Sequence, residues 1–444
     1  MKKHWLYFIG IILFSVSCNP PENGLVGQTE ITKWKGDKKA AISLTYDDGT
    51  INQFTVALPI MNELNFPGTF YIMTGKIPGS KYKGKFIGRD TREIVDETVN
   101  TPTNKDNFFE RASAIGFLGM PDAVDFHSRA GSAFEAGRVE EAYEIIDEGY
   151  KTIREGAMIA TEDVVYHENN VDSTTWQQFR DYAKQGHEFG SHTITHPRLA
   201  VLDEANMLYE LEKSREDILT NLGEESTFSA ECPYGTENER VMDYAFEIYP
   251  ALRNRMPATY MEELNRGSDA EPGTSPREYV QWQRGPLTNV PMEKMKAWVD
   301  TALVNDNIWL VLVFHGIDGI GWEPRTGEEL KEYFAYMKQY EEDLWVATFA
   351  DVTKYIRERK NTIIEKAVEK DKISLKLTCS LDEKWYSQPL TLKTYVPDDW
   401  SNVVLKQNGN NDSTNLQVLQ DEQGNYVLFD TSPNKGTLVI TGHH

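Results

Sequence analysis

The chain has 444 residues, 40% of them hydrophobic, and a formal net charge of -23 at pH 7. This length exceeds what one compact core usually holds, so we predict a main domain with additions. Nucleic-acid binding depends on clustered Lys and Arg, so the acidic balance excludes nucleic acid as an expected partner.

Residues 1–18 have the pattern of an export signal, because two lysines precede an apolar run over residues 6–14. Cys18 follows this run and resembles the lipobox of bacterial lipoproteins, although Ser15 replaces the usual aliphatic residue. We therefore expect an exported protein, lipid-anchored through Cys18 to a bacterial membrane, in the periplasm or at the cell surface. Simple cleavage of the signal is the alternative.

The main domain is expected over residues 38–357, after a short tether over residues 19–37 that begins with Pro, Gly and Asn. Its first strand is the apolar segment that ends at Asp47 and Asp48. A second strand is predicted at residues 67–75. The two aspartates therefore lie where a strand becomes a loop.

Residues 79–171 interrupt the alternation of strands and helices, and residues 139–153 have their clearest amphipathic helical pattern. A block of this length indicates an insertion that shapes the substrate site or packs beside it. His127 and His167 lie in the insertion. We interpret both as incidental, because neither has a nearby residue of ligand type.

The alternation resumes with a helix, for which Thr174 and Gln177 predict a capping box. The next strand, residues 187–190, leads to His192, and a helix capped by Asp203 follows. Further strands are predicted at residues 227–230, 308–314 and 344–349.

Strands that alternate with helices predict a mostly parallel sheet, and a continuous apolar run such as WLVLVF indicates a strand buried on both faces. Functional residues in such folds collect at the carboxyl ends of the strands. The residues predicted to lie there are Asp47, Asp48, His192, Tyr234 and His315.

After Lys360 the pattern changes to short alternating strands separated by Gly, Asn, Asp and Pro. We predict a small all-β sandwich domain over residues 360–444. A spacer or stabilising role is favoured over carbohydrate binding, because the sequence shows no cluster of exposed aromatic residues. Cys232 and Cys379 are too far apart to indicate a disulfide scaffold.

Four short motifs occur at predicted strand ends, and each is weak alone. They are TYDDG at 45–49, SHTITHP at 191–197, CPYG at 232–235 and LVFH at 312–315. In this order they resemble the polysaccharide deacetylase (NodB-homology) family, carbohydrate esterase family 4, over residues 38–78 and 172–357. The expected fold is therefore α/β, a distorted (β/α) barrel with an open groove, a helical insertion and the C-terminal β-sandwich.

The resemblance implies a metal site at Asp48, His192 and His196. One oxygen and two nitrogen ligands suit a divalent ion with one position left for water, and Zn2+ is the expected ion, with Co2+ or Ni2+ as alternatives. Taken from the residues alone, Asp48 could instead cap a helix, and both histidines could be packed groups bonded to the backbone. The ordered motifs favour ligands.

The resemblance also implies catalytic roles: Asp47 as the general base, the backbone N–H of Tyr234 as an oxyanion donor and His315 as the general acid. Adjacent residues on an extended segment point apart, so Asp47 and Asp48 are expected to face different partners. Tyr234 and Trp322 are candidate platforms for a sugar, and a core position is equally open for Trp322.

One departure concerns the third motif, where the family often has an Arg that pairs with the catalytic Asp and this chain has Glu231. A second carboxylate near Asp47 would raise the pKa of one of the two unless a cation lies between them. Arg253 and Arg255 are the candidates for that cation.

The expected function is metal-dependent removal of acetyl groups from a polysaccharide or oligosaccharide, with N-deacetylation of aminosugars leading. The alternatives are an O-acetyl esterase of the xylan type and a surface glycan-binding lipoprotein without catalysis. Glu231 and the β-rich domain favour the binding protein, whereas the complete set of roles favours the enzyme. The sequence predicts no particular oligomeric state.

Overall fold

The computed structural model describes residues 24–160, 174–260, 263–266, 272, 276–407 and 413–443. The predicted signal segment with Cys18, and His167 of the predicted insertion, lie outside the described residues. Within the described ranges, no helix combines the length and the apolar character needed to cross a membrane.

The described chain combines strands and helices up to residue 361 and continues with strands alone. The strands are β1 (Thr29–Ile31), β2 (Ala40–Tyr46), β3 (Gly68–Ile72), β4 (Glu188–Ser191), β5 (Ser229–Ala230), β6 (Ala251–Leu252), β7 (Glu263–Arg266), β8 (Val280–Arg284), β9 (Ile308–Phe314), β10 (Leu344–Val346), β11 (Thr362–Glu369), β12 (Lys372–Cys379), β13 (Leu390–Tyr395), β14 (Asn402–Gln407), β15 (Ser413–Leu416), β16 (Val418–Gln420), β17 (Asn425–Thr431) and β18 (Thr437–His443). The α-helices are α1 (Leu58–Glu63), α2 (Thr91–Glu97), α3 (Phe108–Gly116), α4 (Pro121–Glu135), α5 (Val139–Arg154), α6 (Trp176–Ala183), α7 (Glu204–Leu222), α8 (Glu239–Ile248), α9 (Met292–Val304), α10 (Gly327–Lys338) and α11 (Phe349–Asn361).

A parallel sheet of nine strands forms the centre of the main domain, in the order β6-β5-β4-β3-β2-β9-β8-β7, with β10 paired to the start of β2. Successive residues of β2 enter different cores, Ile42 on one face of the sheet and Ala41 on the other. Strand β9 alternates in the same way, with Leu310 and Trp309. Both strands are therefore buried on both faces, as predicted, and β9 is apolar along its whole length.

The carboxyl ends of neighbouring parallel strands meet at one edge of this sheet. Strand β2 pairs with β3 and β9, β3 with β4, and β4 with β5, all in parallel register. The loops that follow these strands therefore lie side by side. The predicted fold class is confirmed: a distorted (β/α) barrel, a helical insertion and additional all-β strands at the C-terminus.

Helices α2 to α5 lie in the segment predicted to be a helical insertion. They share a core of their own, in which Phe108, Ile115, Ile146 and Tyr150 are fully or almost fully buried. Val201, which follows the second sequence motif, belongs to the same core. The helical segment therefore packs directly against a loop at the carboxyl edge of the central sheet.

Two antiparallel sheets form the C-terminal domain, in the orders β1-β13-β17-β16 and β11-β12-β18-β14-β15. Leu375 and Ile440 from one sheet and Leu392 from the other belong to one core. Strand β1 pairs with β13. Part of the segment predicted to be a tether is therefore folded into the sandwich.

The sandwich is docked on helix α11 of the main domain. The Tyr355 hydroxyl donates to the carbonyl of Thr32 at 3.0 Å, and the Tyr355 ring lies in the sandwich core. The buried carboxylate of Glu358 accepts the backbone N–H of Gln388. Apolar and polar contacts together join the two domains.

The capping box of α6 lies one residue later than predicted. Thr175, not Thr174, accepts the backbone N–H of Gln178, and the Gln178 side chain bonds back to the cap. Both threonines have a Gln three residues later, so the motif alone fits either position. Burial of Trp176 and Phe179 sets the phase of the helix.

Candidate active site

A cavity of about 560 Å³ opens at the carboxyl edge of the central sheet. It gathers side chains that follow strands far apart in the sequence. The predicted site residues in its lining are Asp47, Asp48, His192, His196, Tyr234, Arg253, His315 and Trp322. Arg255 is absent from the lining: it pairs with exposed Glu239 at 2.7 Å.

The three predicted metal ligands converge at the floor of the cavity. Asp48 Oδ1 lies 3.6 Å from His192 Nε2 and 3.4 Å from His196 Nε2. All three residues are buried, and their ligand atoms lie within 4.8 Å of one another. The Asp-His-His set therefore forms a possible metal site.

These spacings fit a shared ion better than direct hydrogen bonds. An N–H···O bond has a typical length of about 2.7–3.2 Å, shorter than both separations. Ligands about 2.1 Å from the centre of a tetrahedron are separated by about 3.4 Å, which matches them. The donor set and its dimensions therefore fit a divalent metal ion.

The orientation of His192 supports this assignment. Its Nδ1 donates to the carbonyl of Glu231 at 2.8 Å, and a carbonyl can only accept, so the neutral ring keeps a lone pair on Nε2. That lone pair is on the nitrogen that faces Asp48. Burial lowers the pKa of His192, which favours the neutral form that a metal ligand requires.

The structure identifies the cation beside Asp47, for which the sequence offered two candidates. Arg253 Nη1 donates to Asp47 Oδ1 at 2.7 Å and to Thr45 Oγ1 at 2.9 Å, while Nη2 donates to Asp47 Oδ2 at 2.6 Å. The same Nη2 lies 3.2 Å from Glu231 Oε1. Arg253 therefore lies between Asp47 and Glu231, the two carboxylates that were expected to need a cation between them.

The electrostatics of the site keep Asp47 ionised. Burial would raise the pKa of its carboxyl, but the charges of Arg253, His315 and His192 outweigh that effect and lower it to about 2. Burial lowers the pKa of His315 to about 4, against the opposing effect of Asp47. At neutral pH the pair is a carboxylate and a neutral imidazole, with His315 Nε2 3.5 Å from Asp47 Oδ2.

Two exposed aromatic side chains stand at the cavity. Trp322 is 50% exposed, and its ring packs edge-on against His315 at a centroid distance of 4.7 Å. Tyr234 is 39% exposed, and its ring lies 4.7 Å from that of His196. Of the two positions considered for Trp322, the structure shows the exposed one.

The backbone is left-handed at several site residues. Positive φ values occur at Asp48 (72°), Thr193 (67°), His196 (64°) and Tyr234 (60°). Asp48 is therefore not on an extended segment, and the left-handed turn rather than strand alternation separates its side chain from that of Asp47. Such conformations cost about 1–3 kcal/mol each and persist where surrounding contacts impose them.

Glu210 of α7 supplies contacts of that kind to the loop between the two histidines. Its Oε2 accepts the backbone N–H groups of Ile194 and Thr195 at 2.8 and 2.9 Å, and its Oε1 accepts the Thr195 hydroxyl. Burial raises the pKa of this carboxyl to about 7. The sequence analysis missed Glu210, although a charged residue on the same helix face as Met207 and Leu211 is a signal for a buried role.

Glu210→Ala should weaken metal binding by about 10- to 100-fold, because it removes the groups that hold the loop carrying the ligands. Glu210→Gln should retain most of the affinity, since an amide oxygen can accept both N–H groups and its NH₂ can donate to Thr195. Glu212→Ala, at an exposed position of the same helix, is the matched control. Competition with a chromophoric chelator measures the affinity; equal values for all three variants would contradict this role.

Gln53 is a second residue that the sequence did not single out. Its side-chain amide donates to the carbonyls of Asp47 and His315, at 2.5 and 2.8 Å. It therefore ties together the loops after β2 and β9, which carry the predicted base and acid. Nothing in its sequence context distinguishes it from an ordinary helical Gln.

The polysaccharide deacetylase family matches residues 133–248 of the chain. This segment contains the SHTITHP and CPYG motifs, and it begins inside the predicted insertion. The resemblance noted from the sequence motifs is confirmed for this segment, which is similar to the polysaccharide deacetylase family. Polysaccharide deacetylases are hydrolases that act on acetylated polysaccharides.

Comparisons with individual proteins give more distant similarities. The chain is 28% identical over 285 residues to a gellan lyase from Bacillus sp.. The aligned segment covers 59% of this chain but only 11% of that protein. Among solved structures, the Bc1960 peptidoglycan N-acetylglucosamine deacetylase is 15% identical, with a TM-score of 0.31 over 71% of this chain and 92% of that one. Bacillus subtilis PdaA, a family 4 carbohydrate esterase, is 11% identical, with a TM-score of 0.31 over 74% and 83%.

Proposed function

We propose that this chain is a metal-dependent hydrolase that removes N-acetyl groups from aminosugar residues of a polysaccharide. The observation that carries the proposal is the placement of Asp47, clamped by Arg253, beside the Asp48, His192 and His196 set in one cavity. A bound divalent ion, preferably Zn2+ and otherwise Co2+ or Ni2+, would polarise the acetyl carbonyl and acidify water.

Asp47 is the general base of the proposed reaction. The two hydrogen bonds from Arg253 fix the plane of its carboxylate, so the group needs no reorientation before it accepts a proton from the attacking water. The carboxylate is ionised at neutral pH, as its lowered pKa requires. Asp47 Oδ2 also lies near His315, which gives the proton a route onward.

His315 protonates the leaving nitrogen in this scheme. The proton taken from water by Asp47 passes to His315 Nε2 and then to the amine as the C–N bond breaks, so the charges balance over one cycle. The His315 side chain is 20% exposed and lines the cavity, so it reaches both Asp47 and a bound substrate. The Tyr234 backbone N–H is the proposed donor to the oxyanion.

The cavity suits a sugar chain because aromatic rings stand at its border. Apolar faces of pyranose rings pack on aromatic side chains, and Trp322 and Tyr234 are exposed enough to receive them. Both rings also contact groups with proposed roles, Trp322 at His315 and Tyr234 at His196. A sugar bound there would place its acetamido group near the ligand set.

Acetate release tests the proposal. The soluble chain from residue 19 onward, reconstituted with Zn2+, is assayed on N-acetylated chito-oligosaccharides and on O-acetylated xylan, with Asp47→Asn as the control. Release from the chito-oligosaccharides that disappears in the control is the expected result. Release from xylan alone would assign an O-acetyl esterase, and metal binding without release from either substrate would favour the glycan-binding alternative.

We also propose that the protein is exported and anchored through a lipid on Cys18. The support is the sequence pattern of residues 1–18. Mass spectrometry of the mature protein should find a diacylglyceryl group on an N-terminal Cys18, and Cys18→Ala should release the protein from membranes. An unmodified N-terminus beyond Cys18 would overturn this proposal.

A further inference from the structure

Helix α4 of the insertion reaches the loop that carries the second histidine ligand. His127, in the middle of α4, is fully buried. Its Nδ1 donates to the carbonyl of Ala112 at 2.7 Å, and its Nε2 accepts the backbone N–H of Arg198 at 3.0 Å. Arg198 is two residues after His196, so the imidazole fixes the point where the chain leaves the ligand set.

The last residue of the same helix reaches a second loop. One carboxylate oxygen of Glu135 accepts a hydrogen bond from Arg198 Nη1 at 2.9 Å, and the other accepts the hydroxyl of Thr236. Thr236 is two residues after Tyr234. Glu135 therefore links the loop after His196 to the loop that carries the proposed oxyanion donor.

Arg198 completes the connection between the two loops. Its guanidinium lies 3.8 Å from the centre of the Tyr234 ring. Its side chain runs over Gly131 of α4, where an added Cβ would come within 2.7 Å of Arg198 Cβ. The backbone of α4 must approach this closely, which explains a glycine inside the helix.

We propose that α4 is a brace that sets the relative position of the two loops, with His127 and Glu135 as its positioning residues. Simple packing of the insertion on the barrel would need only apolar contacts, whereas α4 directs two polar side chains to two segments with left-handed backbone. The structural role of α4 does not depend on the proposed function; only its expected effect on turnover rests on that function. A shift of about 1 Å in such loops is enough to lower turnover by about 100-fold.

The test for His127 is metal binding, which does not depend on turnover. His127→Leu should lower the affinity for Co2+ by about 10-fold or more and alter the visible spectrum of the bound ion. His127→Gln can still donate to Ala112 and accept from Arg198, so it should recover most of the affinity. Wild-type affinity and spectrum in a folded His127→Leu protein would overturn the role of His127.

The test for Glu135 is hydrogen exchange, measured by mass spectrometry on peptides that span residues 233–236. Glu135→Leu should speed exchange there by about 10-fold or more, while Glu144→Leu, at an exposed position of α5, should leave it unchanged. In an active preparation, Glu135→Leu should also lower kcat with little change in KM. Unchanged exchange would overturn the brace, whereas faster exchange in a chain that releases no acetate would retain it and contradict only the proposed function.

Discussion

Arg253→Ala should lower the free energy of unfolding by about 3–5 kcal/mol, the cost of leaving a buried charge without its partner. Arg253 lies between Asp47 and Glu231, and the side chains of all three residues are no more than 5% exposed. Removing the cation leaves two carboxylates side by side with little access to water. Urea denaturation measures the loss, and acetate release should fall with it because the base is no longer held.

The matched control is Arg255→Ala, two residues along the chain. Arg255 pairs with Glu239, whose side chain is 76% exposed, and an exposed pair contributes about 0–1 kcal/mol. A loss from Arg255→Ala as large as that from Arg253→Ala would contradict the proposed clamp.

Exchanging the charges tests the same idea in the opposite direction. Glu231 and Arg253 follow adjacent parallel strands, and the Arg253 N–H donates to the carbonyl of Ala230. Arg253→Glu alone should be worse than Arg253→Ala, because it places three carboxylates together. Combining it with Glu231→Arg restores one cation among two acids and should recover part of the stability.

Much of the barrel could be predicted because its central strands combine two local signals. Strand β9 is continuously apolar and β2 is mostly apolar, and each is followed directly by a polar residue at the sheet edge, His315 after β9 and Asp47 after β2. The sequence did not distinguish Arg253 from Arg255 as the partner of Asp47. On an extended strand both would face the same side, but β6 ends at Leu252, so the two side chains diverge after it.

The contacts that support the site depend on distances that a single sequence does not contain. His127 meets Arg198 across 71 residues, and Arg253 meets Asp47 across 206. His127 was interpreted as incidental because it has no ligand-type neighbour along the chain. That interpretation misses the hydrogen bonds that the buried imidazole makes at both nitrogens.

Asp47→Asn and Asp48→Asn should separate catalysis from metal binding, although the two residues are adjacent. Asp47→Asn should lower kcat by about 100- to 10,000-fold, the usual contribution of a general base, with metal affinity close to that of the wild type. Its amide oxygen still accepts from Arg253, and the remaining pair of Arg253 and Glu231 is neutral, so the fold should be retained. Acetate release and metal titration on the same preparation measure both effects.

Asp48→Asn should instead weaken metal binding. The loss of affinity should exceed the factor of about 10 to 100 that follows removal of a residue hydrogen-bonded to a metal ligand. A neutral amide replaces the oxygen ligand that lies 3.4 and 3.6 Å from the two histidine nitrogens. Excess metal should then restore part of the activity of Asp48→Asn but none of that lost in Asp47→Asn. If excess metal rescued both variants equally, the assignment of base and ligand to these two residues would be wrong, because the two carboxylates would be sharing one role.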